Sequence, residues 1–519
     1  MPVVPARSRN VTLPILVALA LLTPSTTRAQ GFDVIEATIT SVHDALSSGR
    51  LTCHALVQGY LDRITAYDKT GPTLNTIQTV NPGALAEADS LDAVQRRGGT
   101  TGALHCVPVL LKDQIEARGM PTTYGSALFK DFVSTRDATV VTRLKAAGAI
   151  ILAKTTMGEF AARYVGSGFG VIRNAYDPTR NPSGSSGGTG SSVAASFGLV
   201  GIGEDTGGSV RGPAAVSGLV GLRPTLQLVS RHGMLPANPT QDTMGPMTRT
   251  VMDAALLLDV MVGYDPEDPI TAYAVGHIPS SYAAGFSPDA LRGIRIGVLR
   301  EPTDTAARPE SEDFGKVDAV VNQALDDLRA LGAAVMDSLV IDSFAVVRDI
   351  DNNFETEHAT DEYLRAHPDA PVKSFKEIML SGVVVPVRAR GMMNLVGKTI
   401  QDPGYLTVIQ KREALRMRVL KAMADHQLDA LLYPHQRRLV APIGEEQLER
   451  NGVLSNSTGF PAVTFPGGFS PPTESAPIGV PIGIELLGPE WSEPTLLRLA
   501  YAFEQATLVR RPPAGLPAL

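Results

Sequence analysis

Residues 199–214 read Leu-Val-Gly-Ile-Gly-Glu-Asp-Thr-Gly-Gly-Ser-Val-Arg-Gly-Pro-Ala. The opening apolar run predicts a strand over Leu199–Gly203. Glu204-Asp205-Thr206-Gly207-Gly208 then reads as a turn, and a small-residue segment follows from Ser209. Upstream, residues 105–111 (HCVPVLL) form a second apolar run ending in Lys112-Asp113, which suits a buried strand. A helix over Ala138–Ala147 leads through Gly148 into a strand at Ala149–Ala153. This strand–helix–strand alternation predicts an α/β fold with a covered sheet.

Further out, Ile35, Ile39, Val42 and Leu46, then Leu56, Tyr60, Leu61 and Ile64, recur at helical spacing and predict two helices within 34–67. Residues 165–190 are rich in Gly, Ser, Asn and Pro and read as irregular backbone, with a helix starting among the small residues Ser191–Ala195. Residues 300–440 are helix-rich and more charged. Ala462–Phe465 and Ile482–Leu487 read as returning strands, and Pro494–Gln505 as a terminal helix. No internal repeat interrupts the chain.

The first 29 residues stand apart. Arg7 and Arg9 precede the apolar stretch Leu13–Leu22, and Thr27-Arg28-Ala29 puts small residues where a signal peptidase reads. This pattern predicts a secretory signal peptide cleaved after Ala29, hence a secreted or periplasmic protein with no membrane span once it is removed. Residues 30–519 are then one catalytic domain. Of 519 residues, 44% are hydrophobic and 19% charged, a globular composition. Loss of the three arginines in the leader takes the net charge from −7 to −10, and an acidic chain without a basic block offers no surface for nucleic acid. Cys53 and Cys106 are the only cysteines. An oxidising compartment would permit a disulfide between them, but two separate buried thiols are the expectation, and two cysteines are too few for a zinc site built on thiolates.

Three segments carry the chemistry: Val109-Leu110-Leu111-Lys112-Asp113, Ser183-Gly184-Ser185-Ser186-Gly187-Gly188, and Asp205-Thr206-Gly207-Gly208-Ser209-Val210-Arg211. A lysine buried at a strand end loses affinity for its proton and can serve as a base near neutrality. Gly-rich turns leave backbone N–H groups bare enough to surround a developing oxyanion. Each segment alone has a plainer reading, as a surface lysine or a flexible polar loop.

In this order the segments resemble the amidase signature family, which hydrolyses amides with a serine–serine–lysine triad. In style the chain is nearest to exported bacterial amidases and peptide amidases. The likeness continues through Pro121–Ser126, Lys154-Thr155, Gly218–Thr225, Gly245-Pro246-Met247, Asn456–Pro461 and Pro481-Ile482-Gly483, covering most of residues 35–505. It implies an α/β/α layered fold around a large mixed β-sheet. It further implies Ser209 as nucleophile, Ser185 as bridging serine behind a cis Gly184–Ser185 bond, and Lys112 as base. The N–H groups of Thr206, Gly207, Gly208 and Ser209 would form the oxyanion hole. Ser186 is expected as a supporting hydrogen-bonding residue, and Asp205 and Arg211 as mostly structural. Residues 300–440 would be the variable helical region lining the substrate channel, with His358 and His435 as residues that could reach it. Three positions depart from the pattern: Ser183 for Gly, Cys106 for Gly and Thr156 for Asn.

The expected substrate is a small-molecule amide: a peptide amide, fatty-acid amide, anilide or carbamate. No metal or organic cofactor is expected, and a homodimer is left open. The alternatives are a non-catalytic binding protein on the same fold and the glutamine-hydrolysing component of an amidotransferase. Gly184-Ser185-Ser186-Gly187-Gly188 also fits the G-x-S-x-G nucleophile elbow, but polar Asn174–Pro182 is no strand to carry one. The acidic run Asp349, Asp351, Glu355, Glu357, Asp361 and Glu362 reads as a solvated helix face.

Overall fold

The computed structural model describes residues 1–5, 32–300, 310–341, 350, 352–447 and 450–519. The expected signal segment, from residue 6 on, and Asp349 and Asp351 lie outside the described residues. In chain order the strands are β1 (Ile77–Val80), β2 (Pro108–Lys112), β3 (Ile150–Thr155), β4 (Val165–Gly166), β5 (Gly170–Val171), β6 (Val200–Asp205), β7 (Val220–Arg223), β8 (Thr243–Thr248), β9 (Arg295–Leu299), β10 (Ala334–Leu339), β11 (Ala430–Pro434), β12 (Ala462–Phe469) and β13 (Pro481–Leu487). Eleven of them form one mixed sheet in the order β1-β3-β2-β6-β8-β7-β12-β13-β11-β9-β10, while β4 and β5 pair with each other.

β2 runs parallel to both β3 and β6, with Leu111 level with Ile202. This register brings Lys112 and the end of β6 to the same edge. Carboxyl ends of neighbouring parallel strands are where open α/β sheets hold their ligands. Every residue of β2, β3, β6, β7, β8, β11 and β13 is buried. Both faces at the centre of the sheet are therefore covered, as in the implied layered fold. The helix Gly187–Ala194 lies against β6 so closely that a side chain at Gly201 would meet Thr189 and Val193. The helices Val251–Met261 and Glu493–Thr507 pack against β8 and β12 respectively. Among the described residues, no helix is long and apolar enough to cross a membrane.

Three expectations need correction. Residues 165–190 are not wholly irregular: β4 and β5 make a hairpin, and the helix starts at Gly187 instead of among Ser191–Ala195. Glycine lowers intrinsic helix propensity, but at Gly188 a side chain would strike the Thr156 carbonyl, so packing overrides propensity. Cys53 and Cys106 are not separate thiols but form a disulfide, their Cα atoms 5.4 Å apart. The fold brings positions 53 residues apart within bridging distance, which spacing alone does not encode. Glu355 is no part of a solvated face: it is buried and accepts hydrogen bonds from the Thr240 N–H and hydroxyl and from Tyr405.

Candidate active site

Lys112 closes β2 with its side chain wholly buried. Its Nζ donates to Ser185 Oγ at 2.7 Å, to Glu204 Oε2 at 2.7 Å and to the Glu204 carbonyl at 3.1 Å. The Gly184–Ser185 bond is cis. A side chain at Gly184 would run into the Arg163 carbonyl, and the Ser185 carbonyl accepts the Gly158 N–H at 3.0 Å. The segment 158–163 thus clamps Gly184 and Ser185. Ser183, one of the three departures, adopts a φ of 60°, the left-handed region in which glycine is at ease. Ser186 donates to the Glu204 carbonyl at 3.2 Å, tying the serine-rich loop to the end of β6.

The turn after β6 is built on Asp205. Its Oδ1 accepts the Gly208 N–H at 2.7 Å and its Oδ2 accepts the Val210 N–H at 3.1 Å, so bonds to one carboxylate flank Ser209. Gly208 takes a φ of 107° in the middle. Burial pushes the Asp205 carboxyl up, but Arg211 and Arg223 outweigh it and hold the group well below the usual carboxylate range. Arg211 also pairs with Glu485 at 2.6 Å, and burial of Glu485 is likewise overridden, by Arg211 and His435, to about 2. Asp205 and Arg211 thus scaffold the turn that carries Ser209.

Of the four expected oxyanion donors, the Gly208 N–H is taken by Asp205. Among the described residues, no protein acceptor takes the N–H groups of Thr206, Gly207 or Ser209. Ser209 itself is 8% exposed, and Thr206 and Gly207 before it are half-buried, so solvent reaches this side of the turn. His435, expected toward the substrate channel, is buried behind the turn instead. Its Nδ1 bonds Glu485 Oε2 at 2.7 Å, and its ring backs Gly208 and Gly212. His358 is exposed on its helix beside Glu362.

Sequence reasoning assigns no role to Glu204 or Asp242. Glu204 is fully buried between Lys112 and the Thr206 hydroxyl, which donates to Oε1 at 2.6 Å. Asp242 is buried, accepts the N–H groups of Ala237 and Asn238, and is pushed up to about 7 by burial and then by the Glu204 charge. A carboxylate closing a buried strand is the signal that could have found Glu204. For Asp242 nothing local distinguishes it.

Beside the clamp lies a small pocket, walled by Met157, Phe160, Leu235, Phe375 and Met392. Gln114 and Arg388 bring polar atoms to this apolar space, and neither Gln114 Oε1 nor Arg388 Nε has a protein partner. Met157 adjoins Gly158, which holds Ser185, and Gln114 follows Lys112 by two residues. Two lining residues of the pocket thus lie close in the chain to Lys112 and to the residue that holds Ser185.

A family model described as Amidase matches residues 55–497. A probable amidase of Arabidopsis thaliana is 32% identical over 93% of this chain and 92% of its own. A glutamyl-tRNA(Gln) amidotransferase component from Alkaliphilus metalliredigens is 34% identical over 91% and 96%. Among solved structures, the native peptide amidase of Stenotrophomonas maltophilia superposes with a TM-score of 0.82 at 34% identity, covering 92% of this chain and 98% of that one.

Proposed function

The chain belongs to the amidase family, and on that premise we propose that it hydrolyses small peptide-type amides through an acyl-enzyme on Ser209. The observation that carries this reading is the 2.7 Å bond from Lys112 to Ser185, with Lys112 and Ser186 both bonded to Glu204, which leads into the glycine turn that carries Ser209. Ser185 takes the Ser209 proton as Ser209 attacks the amide carbonyl, and passes its own proton to Lys112. The bare N–H groups of Thr206, Gly207 and Ser209 face the developing oxyanion. Ser185 then protonates the departing amine, and water repeats the sequence to release the acid. No step calls for a metal or organic cofactor.

The apolar residues near the site, Met157, Phe160, Leu235, Phe375 and Met392, with the polar Gln114 and Arg388 among them, suit an apolar acyl portion that carries one further amide group. That matches a peptide amide better than a simple anilide, and the likeness to a peptide amidase points the same way. The similarity to glutamyl-tRNA(Gln) amidotransferases would put the same chemistry on glutamine. A panel of peptide amides, fatty-acid amides, anilides, carbamates and free glutamine separates these. Peptide amides should be turned over fastest, and preference for glutamine would reverse the assignment. Ser209→Ala should abolish turnover in a folded chain, whereas retained activity would refute the mechanism.

Export is part of the proposal. The leader pattern predicts it, and a disulfide suits an oxidising compartment. The exported protein should begin at Gln30 when sequenced from its N-terminus.

A further inference from the structure

Lys112 Nζ carries three N–H donors when protonated, and the three acceptors around it use all of them. An ammonium so placed has no lone pair for the Ser185 proton. Before it can act as a base it must lose one proton, inside a site where its own side chain and that of Glu204 are fully buried. The nearest group able to take it is Glu204 Oε2, at 2.7 Å.

We propose that Glu204 is the fourth member of the relay, a positioning residue that takes a proton from Lys112 and so turns it into the base. This rests on the reading of Lys112 as the base of the reaction. One Nζ–H bond breaks and an O–H bond forms on Glu204 Oε2, leaving a neutral amine beside a neutral carboxylic acid. The net charge of the buried pair is unchanged, so no uncompensated ion is created. Rotation about Cε–Nζ then turns the lone pair toward Ser185 Oγ. As Ser209 bonds to the substrate carbon, its proton moves to Ser185 and that of Ser185 moves to Lys112. The leaving amine takes the proton back from Ser185, which recovers one from Lys112. After deacylation Glu204 returns its proton, and the ion pair is restored.

Several charged and polar groups face Glu204. Lys112 faces it from β2, and the Thr206 hydroxyl bonds its other oxygen. Asp242 and Asp205 add two carboxyl groups, and Arg223 from β7 adds a positive charge.

The test is the pH profile of kcat/KM for Glu204→Gln, with Glu204→Asp, Lys112→Ala and Ser209→Ala alongside. In the native enzyme the active form and the resting ion pair hold equal numbers of protons, so activity persists into mildly acidic pH. Without the acceptor, Lys112 must release its proton to solvent. The acid limb of Glu204→Gln should therefore move to higher pH by about one unit or more, with kcat near pH 6 reduced about tenfold and KM little changed. Glu204→Asp keeps a proton acceptor and should keep the native acid limb at lower kcat. An acid limb that moves down or stays put in Glu204→Gln overturns the proposal, because Glu204 would then only hold Lys112 charged. If Glu204→Gln does not fold, a displaced limb in Glu204→Asp overturns it instead. Activity surviving in Ser209→Ala or Lys112→Ala would strike at the underlying mechanism, a distinguishable failure.

Discussion

The Asp205 carboxylate accepts the Gly208 N–H at 2.7 Å, and with that bond the fold holds the turn before Ser209 from within. The same carboxylate lies between Arg211 and Arg223, all three buried. A single acid thus shapes the turn that carries Ser209 and pairs with two guanidinium groups, one of which, Arg211, also has Glu485.

Asp205→Ala should therefore destabilise the protein as well as inactivate it. Removing one partner of a buried ion pair typically costs about 3–5 kcal/mol, because the remaining charges are left uncompensated. Urea unfolding at pH 7 measures this, and a loss under about 1 kcal/mol would show that Arg211 and Arg223 find other partners. Because the folded carboxyl sits below its unfolded value, its stabilisation is present above about pH 4 and is lost only as pH falls through the folded value.

Gly208→Ala tests the geometry of the same turn. With φ at 107°, an added Cβ would sit 3.2 Å from His435 Cε1 and 3.3 Å from Arg450 Nη2. The backbone would have to shift, and the N–H groups on either side would shift with it. Loss of oxyanion alignment should lower kcat about 100-fold with a smaller change in KM. Native kcat in this variant would mean that the turn is not catalytically aligned.

Asp253 gives a signed dependence of stability on pH. Its carboxyl is buried, accepts the Ile39 N–H at 3.0 Å through Oδ1, and has no partner for Oδ2. Burial raises it to about 6 despite those bonds and the nearby Arg249. The folded state holds this proton more tightly than the unfolded state, so its stabilising effect is full below about pH 4 and is lost as pH rises through about 6. Asp253→Asn should remove a fall of about 2–3 kcal/mol between pH 4 and pH 7.5, following the two-unit difference. Paired urea titrations of native and variant protein at both pH values provide the comparison.

The Cys53–Cys106 disulfide closes a loop of 53 residues, for which chain entropy gives about 4 kcal/mol of stabilisation. The double variant Cys53→Ser, Cys106→Ser should unfold at lower urea while keeping its kcat, since neither residue touches the relay. Unchanged stability would show that the bridge does not form in the folded protein.

Much of the frame was legible from local pattern. The apolar run that ends in Lys112 became β2, and Leu199–Gly203 became β6 with two more residues at its end. β8 is absent from the sequence reading, because Gly245 and Pro246 interrupt its run, yet Pro246 lies opposite Ile202 inside the sheet. Proline is a poor strand residue by propensity and is tolerated there by the tertiary setting.

By itself the sequence determined the order of the segments on which the proposed chemistry rests, Lys112, Ser185 and Ser209 with their glycines. Those features depend on short-range sterics and on hydrophobic periodicity, and both are written locally. Tertiary structure decided which partners those groups meet. Register between β2 and β6 sets Lys112 against Glu204, 92 residues away in the chain. Asp205 takes one expected oxyanion donor, His435 is withdrawn behind the turn, and the two cysteines meet. Each of these rests on a distance of a few ångströms between segments far apart in sequence, a quantity fixed only once the sheet is assembled and packed.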